Sequence, residues 1–362
     1  MALVIVLLVL VLTFAFFHLK CTMMQSFVML WSSVVSTILA FSFYEFVAEL
    51  LVSRGYGLQW AHCGSYLVVF IAGFALLRTV SEFLIGTKID LGDAVKASTA
   101  AVCGLLTGLI FSGNLLVVMG MLPMQGKVFY SRFDPSEPVV LSQPKAPALA
   151  TDGFVSGLYG LISSGSMKSD KSFRVYHADY LSQIHLNKLK VKDKVLTVSS
   201  REAIEMPSKK KQPVRSKAFD DKEYIVVRMG IKGKKIDKGG ANNASGKIEF
   251  FPAQIRLIVK DDMPGLSDNL MAGSAKALPP VGFLKDGRLV KVELDKIQSP
   301  DSKEQKEQVL WLDVAFDVPQ NHKPVLIQFK QNAVADLTSY KVVESTPEIE
   351  SALDSDDEEK EG

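Results

Sequence analysis

The first 123 residues consist of long apolar runs separated by short polar gaps. A bilayer core takes about 20 apolar residues per spanning helix, with a usable range of roughly 17–25. Four stretches meet that requirement: 2–17, 27–44, 62–77 and 97–122. The first reaches spanning length with His18 and Lys20 at the interface. The third extends to 84 with Arg78 and Glu82 at the boundary, and Pro123 stops the fourth. No basic residue precedes the first stretch and no small-residue cleavage site follows it, so it reads as a retained helix and not a signal peptide.

Within these runs the small residues are not scattered. Ala100, Gly104 and Gly108 recur every four residues, with Ala97 and Ala101 alongside, and the second stretch carries Ser32, Ser36 and Ala40 beside Ser33 and Thr37. Helices in lipid pair through small residues that let backbones approach. The pattern predicts a bundle packed around helices 2 and 4, with the Val-, Leu- and Phe-rich first helix facing lipid. Asn114 lies at membrane depth. Its amide needs a partner, either an interhelical hydrogen bond or, on the sharper reading, a polar path through the bundle. Arg78 and Glu82 stand one helical turn apart and can pair.

Beyond residue 123 the period changes. Pro135, Pro138, Pro144 and Pro147 predict an extended linker. Residues 153–167 are apolar and glycine-rich: a short helix on the membrane or on the bundle, or a buried loop helix of the next domain. A further short helix is expected over 173–189. From 191 onward, strands are expected at 191–198, 224–229, 247–260, 281–284, 289–294, 309–318 and 324–329. Asp286-Gly287 marks a hairpin turn, and Asp313 sits in a strand that looks buried on both faces. Phe316 to Phe329 resembles the final hairpin of extracellular accessory sandwiches. Many short strands with frequent turns predict a mainly-β soluble domain, an immunoglobulin-like sandwich. The expected organisation is therefore a four-helix transmembrane domain (1–123), a Pro-rich linker with short helices (124–190), a β-rich domain (191–343) and a disordered acidic tail (344–362).

Charge sharpens this division. Residues 1–123 hold five basic and five acidic side chains, and the other 239 residues hold 36 and 34. A wholly soluble chain, a disordered chain and a nucleic-acid binder working by bulk positive charge do not segregate charge in this way. Lys20, Lys88, Lys96 and Arg78 fall on one side of the bundle and Arg54 on the other. The positive-inside rule then places both termini and the β-rich domain outside the cytoplasm. The segment 206–217 carries Lys209, Lys210, Lys211, Arg215 and Lys217. It reads as a solvated loop, or more sharply as a contact for anionic lipid headgroups or an acidic partner. Residues 344–362 hold nine acids and one lysine, a composition expected to be disordered.

The run Ile89-Asp90-Leu91-Gly92-Asp93-Ala94-Val95-Lys96, leading into Ala100 through Gly104 and Gly108, resembles the colicin V production protein (CvpA) family. Asp93, Gly104 and Gly108 carry the likeness, together with four closely spaced helices at the start of the chain. The resemblance implies a multi-pass bacterial inner-membrane protein linked to toxin production or export and envelope processes, with no established catalytic residues. In some members of that family the helical module anchors an extracytoplasmic domain, at times a serine protease.

Chemistry is sparse. The three cysteines, Cys21, Cys63 and Cys103, all lie in or beside the helical part, so the β-rich domain has neither a disulfide framework nor a cysteine nucleophile. The run 239–247 has glycines and Lys247, but its spacing and Ile248 fail the phosphate-loop pattern. His177, Asp179 and His185 fit no zinc spacing, and no G-x-S-x-G serine occurs. The expectation is a non-enzymatic protein with no cofactor and no metal, whose partners are the bilayer and a membrane or envelope protein or a second copy, and no nucleic acid. The alternative is a small transport or export component whose bundle forms a polar path.

Overall fold

The computed structural model describes residues 2–84, 92–124, 131–133, 137–141, 143–147, 149–164, 171–188, 190–191, 194–195, 200–219, 222–232, 248–262, 269–298 and 309–354. The chain divides into two compact units, 1–135 with 140–162, and 136–139 with 163–362. The segment 124–190 is thus shared between them.

The first unit is helical: α1 (Ala2–Lys20), α2 (Met23–Ser53), α3 (Ala61–Leu84), α4 (Asp93–Met121) and α5 (Thr151–Ser164). Helices α1 to α4 are each long and apolar enough to cross a membrane. Helix α2 is longer than its apolar run because both polar ends continue it. Thr22 starts it with a capping box: Gln25 N donates to Thr22 Oγ1 at 3.3 Å, and Thr22 N donates to Gln25 Oε1 at 2.9 Å. α1 packs on α4, and α2 packs on α3 and α4. Trp31, Phe46, Leu76 and Phe83 stay exposed, as an apolar exterior in lipid requires.

α5 belongs to the bundle. A Cβ on Gly113 would overlap Val155 Cγ2 and the Thr151 carbonyl oxygen, so only glycine lets α5 lie this close to α4. Phe41 stacks on Tyr159 at 4.9 Å, and Ser42 Oγ lies 3.0 Å from Tyr159 Oη. At its N-terminus Asp152 is fully buried and pairs with Arg132 at 3.2 Å, while Lys145 N donates to Arg132 O at 2.8 Å. The proline-rich segment is therefore tied back to the bundle at these residues.

The second unit opens with α6 (Phe173–Tyr176) and α7 (Tyr180–Leu186). The expected single helix breaks at Asp179, whose φ is 52°. The strands are β1 (Lys190–Val191), β2 (Lys194–Val195), β3 (Ile204–Glu205), β4 (Val214–Phe219), β5 (Lys222–Lys232), β6 (Ile255–Asp261), β7 (Lys276–Leu278), β8 (Pro280–Lys285), β9 (Arg288–Lys291), β10 (Val309–Phe316), β11 (His322–Phe329), β12 (Ala333–Asp336) and β13 (Val343–Glu344). They form a two-stranded pair β1-β2 and two larger sheets. One has the order β13-β4-β5-β10-β8-β9, with β3 also on β5, and the other β12-β11-β6-β7. Among the described residues, every strand pairing is antiparallel except β13 with β4.

One core lies between the two larger sheets. Val227, Met229 and Ile231 of β5 and Val314 and Phe316 of β10 meet Ile255, Leu257 and Val259 of β6 and Ile327 and Phe329 of β11. The second sheet is covered on its other face too: Ile258 and Leu326 pack with Val175, Ala178 and Met271. The Asp286-Gly287 turn forms as expected. Lys285 pairs with Arg288, and φ of 50° and 73° at the two turn residues gives the type I′ geometry that matches strand twist. The expected final hairpin does not form. β10 pairs with β5 and β8, and β11 with β6 and β12, so the connection through Pro319 crosses from one sheet to the other. Residues 344–354 are not a free tail. β13 is followed by helix α8 (Pro347–Asp354), and Leu353 is fully buried. Residues 355–362 lie outside the described residues.

Candidate functional site

The glycine row of α4 meets α1, not α2. A Cβ on Gly104 would stand 3.0 Å from Phe17 Cβ, and one on Gly108 would overlap Thr13 Oγ1 and come within 3.3 Å of Leu10 Cα. Ala100 continues this seam, buried with Phe17, Cys21, Met29 and Cys103. The first helix therefore has a packed stripe, and only its remaining faces are open to lipid. Its uniform Val, Leu and Phe composition hides that stripe.

The serine face of α2 works differently. Ser32 and Ser36 are buried, and Ser36 Oγ donates to Ser32 O at 2.6 Å. Ser33 and Thr37 likewise donate to carbonyls one turn back, Leu30 O at 2.7 Å and Ser33 O at 2.8 Å. Such back-bonding satisfies a hydroxyl within its own helix and leaves a small surface for packing. Here Ser36 faces Gly73 of α3.

Asn114 is the polar node of the bundle. Its Nδ2 donates to Thr37 Oγ1 at 2.9 Å and to Ile110 O at 2.8 Å, and Tyr66 Oη donates to its Oδ1 at 2.6 Å. Both donors and the carbonyl oxygen are engaged, by groups from α2, α3 and α4. Tyr66 is fully buried and stands edge-on to Phe41 and Tyr44. Thr37 and Tyr66 were not predictable as Asn114's partners, because nothing local to either residue records the α2 or α3 register.

The basic segment of the β unit separates into three environments. Lys209 and Lys210 are exposed on a 3-10 turn (Lys209–Lys211), where Lys209 Nζ lies 5.7 Å from the Tyr340 ring. Arg215 is buried inside β4 and bonds Asp313 of β10. Arg228, directly opposite Asp313 in the ladder, bonds its other oxygen at 2.9 Å. Arg215 is therefore part of the fold and cannot reach a lipid headgroup. The signal was present in the sequence: a lone Asp in a strand apolar on both faces needs cationic partners. Lys217 pairs with Glu350 of α8, and Ser345 Oγ also donates to Glu350 at 2.7 Å. Burial alone would raise the Glu350 carboxyl. The hydrogen bonds from Lys217 and Ser345 and the charges of Lys217 and Arg215 hold it below its ordinary value.

His177 and Asp179 stand in a polar network around α6 and α7, and His185 is buried on α7. His177 Nδ1 lies 3.0 Å from Gln183 Oε1, and Gln183 Nε2 reaches Gln328 at 3.5 Å. Arg256 donates to the same Gln328 oxygen at 2.7 Å and to Ala178 O at 3.2 Å. Its pKa falls to about 10 through burial, offset in part by Asp179. Among the described residues, no group of three His, Cys, Asp or Glu side chains is placed to hold a metal ion. The glycine-rich run 239–247 lies outside the described residues. No protein-family model, curated protein or solved structure matches the chain.

Proposed function

We infer that this chain is a non-enzymatic integral protein of a bacterial inner membrane, similar to the CvpA family in its helical part, whose bundle anchors an extracytoplasmic binding or scaffolding domain. The observation that carries the reading is the closure of Asn114. A polar group whose donors and acceptor are all taken up by Thr37, Tyr66 and Ile110 ties three helices together and offers nothing to a passing solute. The strand order supports a binding domain of the immunoglobulin-like kind. β4-β5-β10-β8 corresponds to the A-B-E-D sheet of that fold, and β12-β11-β6-β7 to the G-F-C-C′ sheet. β9 and β13 are additions at the two edges of the first sheet.

A second reading, a transport or export component, draws on Ser65 of α3 and Thr107 of α4, whose buried hydroxyls have no partner among the described residues. Asn114→Leu separates the two. An anchor loses about 1–2 kcal/mol of bundle stability and keeps its phenotype, whereas a conduit through the node loses its phenotype. The orientation is tested with Lys285→Cys, at an exposed hairpin position, since the three native cysteines are buried. A membrane-impermeant maleimide should label it in cells whose inner membrane is intact. Labelling only after the inner membrane is breached refutes the extracytoplasmic placement.

A further inference from the structure

The acidic C-terminal residues close an edge of the first sheet. β13 pairs with β4 in parallel, Val343 opposite Arg215 and Glu344 opposite Ser216, and Ser345 N donates to Ser216 O at 2.9 Å. The chain then turns into α8, which packs on the 3-10 turn carrying Lys209 and Lys210. Glu350 takes Lys217, and Leu353, three residues on, is fully buried.

Without these residues β4 would be an open edge strand with unpaired backbone groups, and such an edge is a template for an added strand. Its flank is cationic. Lys209 and Lys210 are exposed, Lys217 would lose its carboxylate, and Arg215 and Arg228 already share Asp313. The strand part of this contact is small. The pairing is two residues long, no hairpin connects β13 to β4, and the side chains of Lys217 and Glu350 are 21% and 30% exposed. A strand contact that is short and partly solvated is of the kind that opens below the global stability.

We propose that the β4 edge and its lysines form a docking site for an acidic peptide segment of a partner protein, and that residues 343–354 occupy it in cis as a competitor. The seated tail defines the ligand. Two extended residues enter parallel to β4, and a short helix follows with a carboxylate at the Glu350 place and an apolar side chain three residues later. Strand pairing and a buried Leu353 are features that a peptide has and a lipid headgroup lacks. The proposal rests on reading the β unit as a binding domain. It is independent of which side of the membrane that unit occupies, which the Lys285→Cys labelling decides.

The test is a titration of a labelled peptide of residues 341–354 onto the full chain in detergent micelles, and onto a chain ending at residue 342. Removing the cis competitor should tighten binding at least tenfold, and Lys217→Glu should weaken it about as much. A peptide carrying Glu350→Lys should restore binding to the Lys217→Glu chain. Absence of binding to the shortened chain, with its β5 and β10 amides still protected from exchange, overturns the proposal. If shortening exposes those amides, the full-length Glu350→Lys chain replaces it. That chain should bind the native peptide tenfold better than the unaltered chain, and no gain overturns the proposal. A Leu353→Ser peptide that binds as well as the parent, with displacement by phosphatidylglycerol vesicles, also overturns it in favour of a site that reads charge alone.

Discussion

Replacing Lys330 with methionine should stabilise the β unit, by an amount that depends on pH in a defined way. Lys330 follows β11, adopts a left-handed φ of 55° and is fully buried. Its Nζ finds no hydrogen-bond partner among the described residues and lies 5.3 Å from the Phe329 ring centroid. Burial lowers its pKa from 10.5 to about 7. That drop corresponds to a penalty on the order of 5 kcal/mol for folding with the lysine charged. The unfolded chain binds the proton more tightly, so native stability rises with pH between about 7 and 10.5, and the whole penalty is present below that window. Methionine has similar length and no charge, and it should gain most of the penalty at pH 6 and almost none at pH 10.5. Unfolding of the whole chain mixes two units. The measurement is therefore urea-dependent hydrogen exchange of β6 and β11 peptides in the full-length protein, with both chains compared across the pH range. A difference that does not change with pH, or a methionine chain less stable at pH 6, refutes the reasoning.

Gly108→Val should separate α1 from α4, since even a Cβ overlaps Thr13 Oγ1 and approaches the α1 backbone. Overpacking of this kind costs about 1–3 kcal/mol, and loss of a cysteine crosslink engineered between the two helices reports it. Asp313→Asn leaves the buried Arg215 and Arg228 without their shared carboxylate, a loss of about 3–5 kcal/mol, which should appear as lost amide protection in β5 and β10. Lowering pH should release α8. Glu350 is held below its ordinary 4.5, so its contribution is complete above that value and disappears as pH falls below it. Exchange of residues 343–354 at pH 3 and pH 6 checks this, and equal protection at both refutes it.

The elements that could be read from the sequence are those whose cause is local. A span needs only a sufficient apolar length, and Asp286-Gly287 needs only two residues that tolerate positive φ. The missed features are non-local. The row of Gly104 and Gly108 announces a close approach but does not name the approaching helix, and α1 carries no polar residue to mark its buried stripe beyond Thr13. The acidic composition of 344–362 argues against a self-supporting core, and α8 has none. It is ordered by β4 and Lys217, more than 120 residues upstream. Five basic residues between 209 and 217 read as one solvated patch because composition ignores strand geometry. The ladder places Arg215 next to Asp313 and leaves Lys209 and Lys210 outside.

The same geometry gives the acidic tail its physical reason. Buried Arg256 and Lys260 of the β unit donate to uncharged oxygens, whereas buried Lys330 has no hydrogen-bond partner among the described residues. Arg256 uses Gln328 and Ala178, Lys260 uses the carbonyls of Ala272 and Asn269 at 2.5 and 3.4 Å, and Arg215 and Arg228 share one carboxylate. Amide and carbonyl oxygens satisfy hydrogen-bond donors without cancelling their charge. Residues 124–343 contain 35 basic and 25 acidic side chains, and residues 344–362 contain nine acids and one lysine. The near-neutral sum of the chain is thus a separation of charge along one polypeptide, and at the β4 edge Glu350 of the acidic segment meets Lys217. Residues 343–354 are retained by their own chain at short range and, on the docking proposal, yield to a partner segment that brings the same charges with a better-fitting strand.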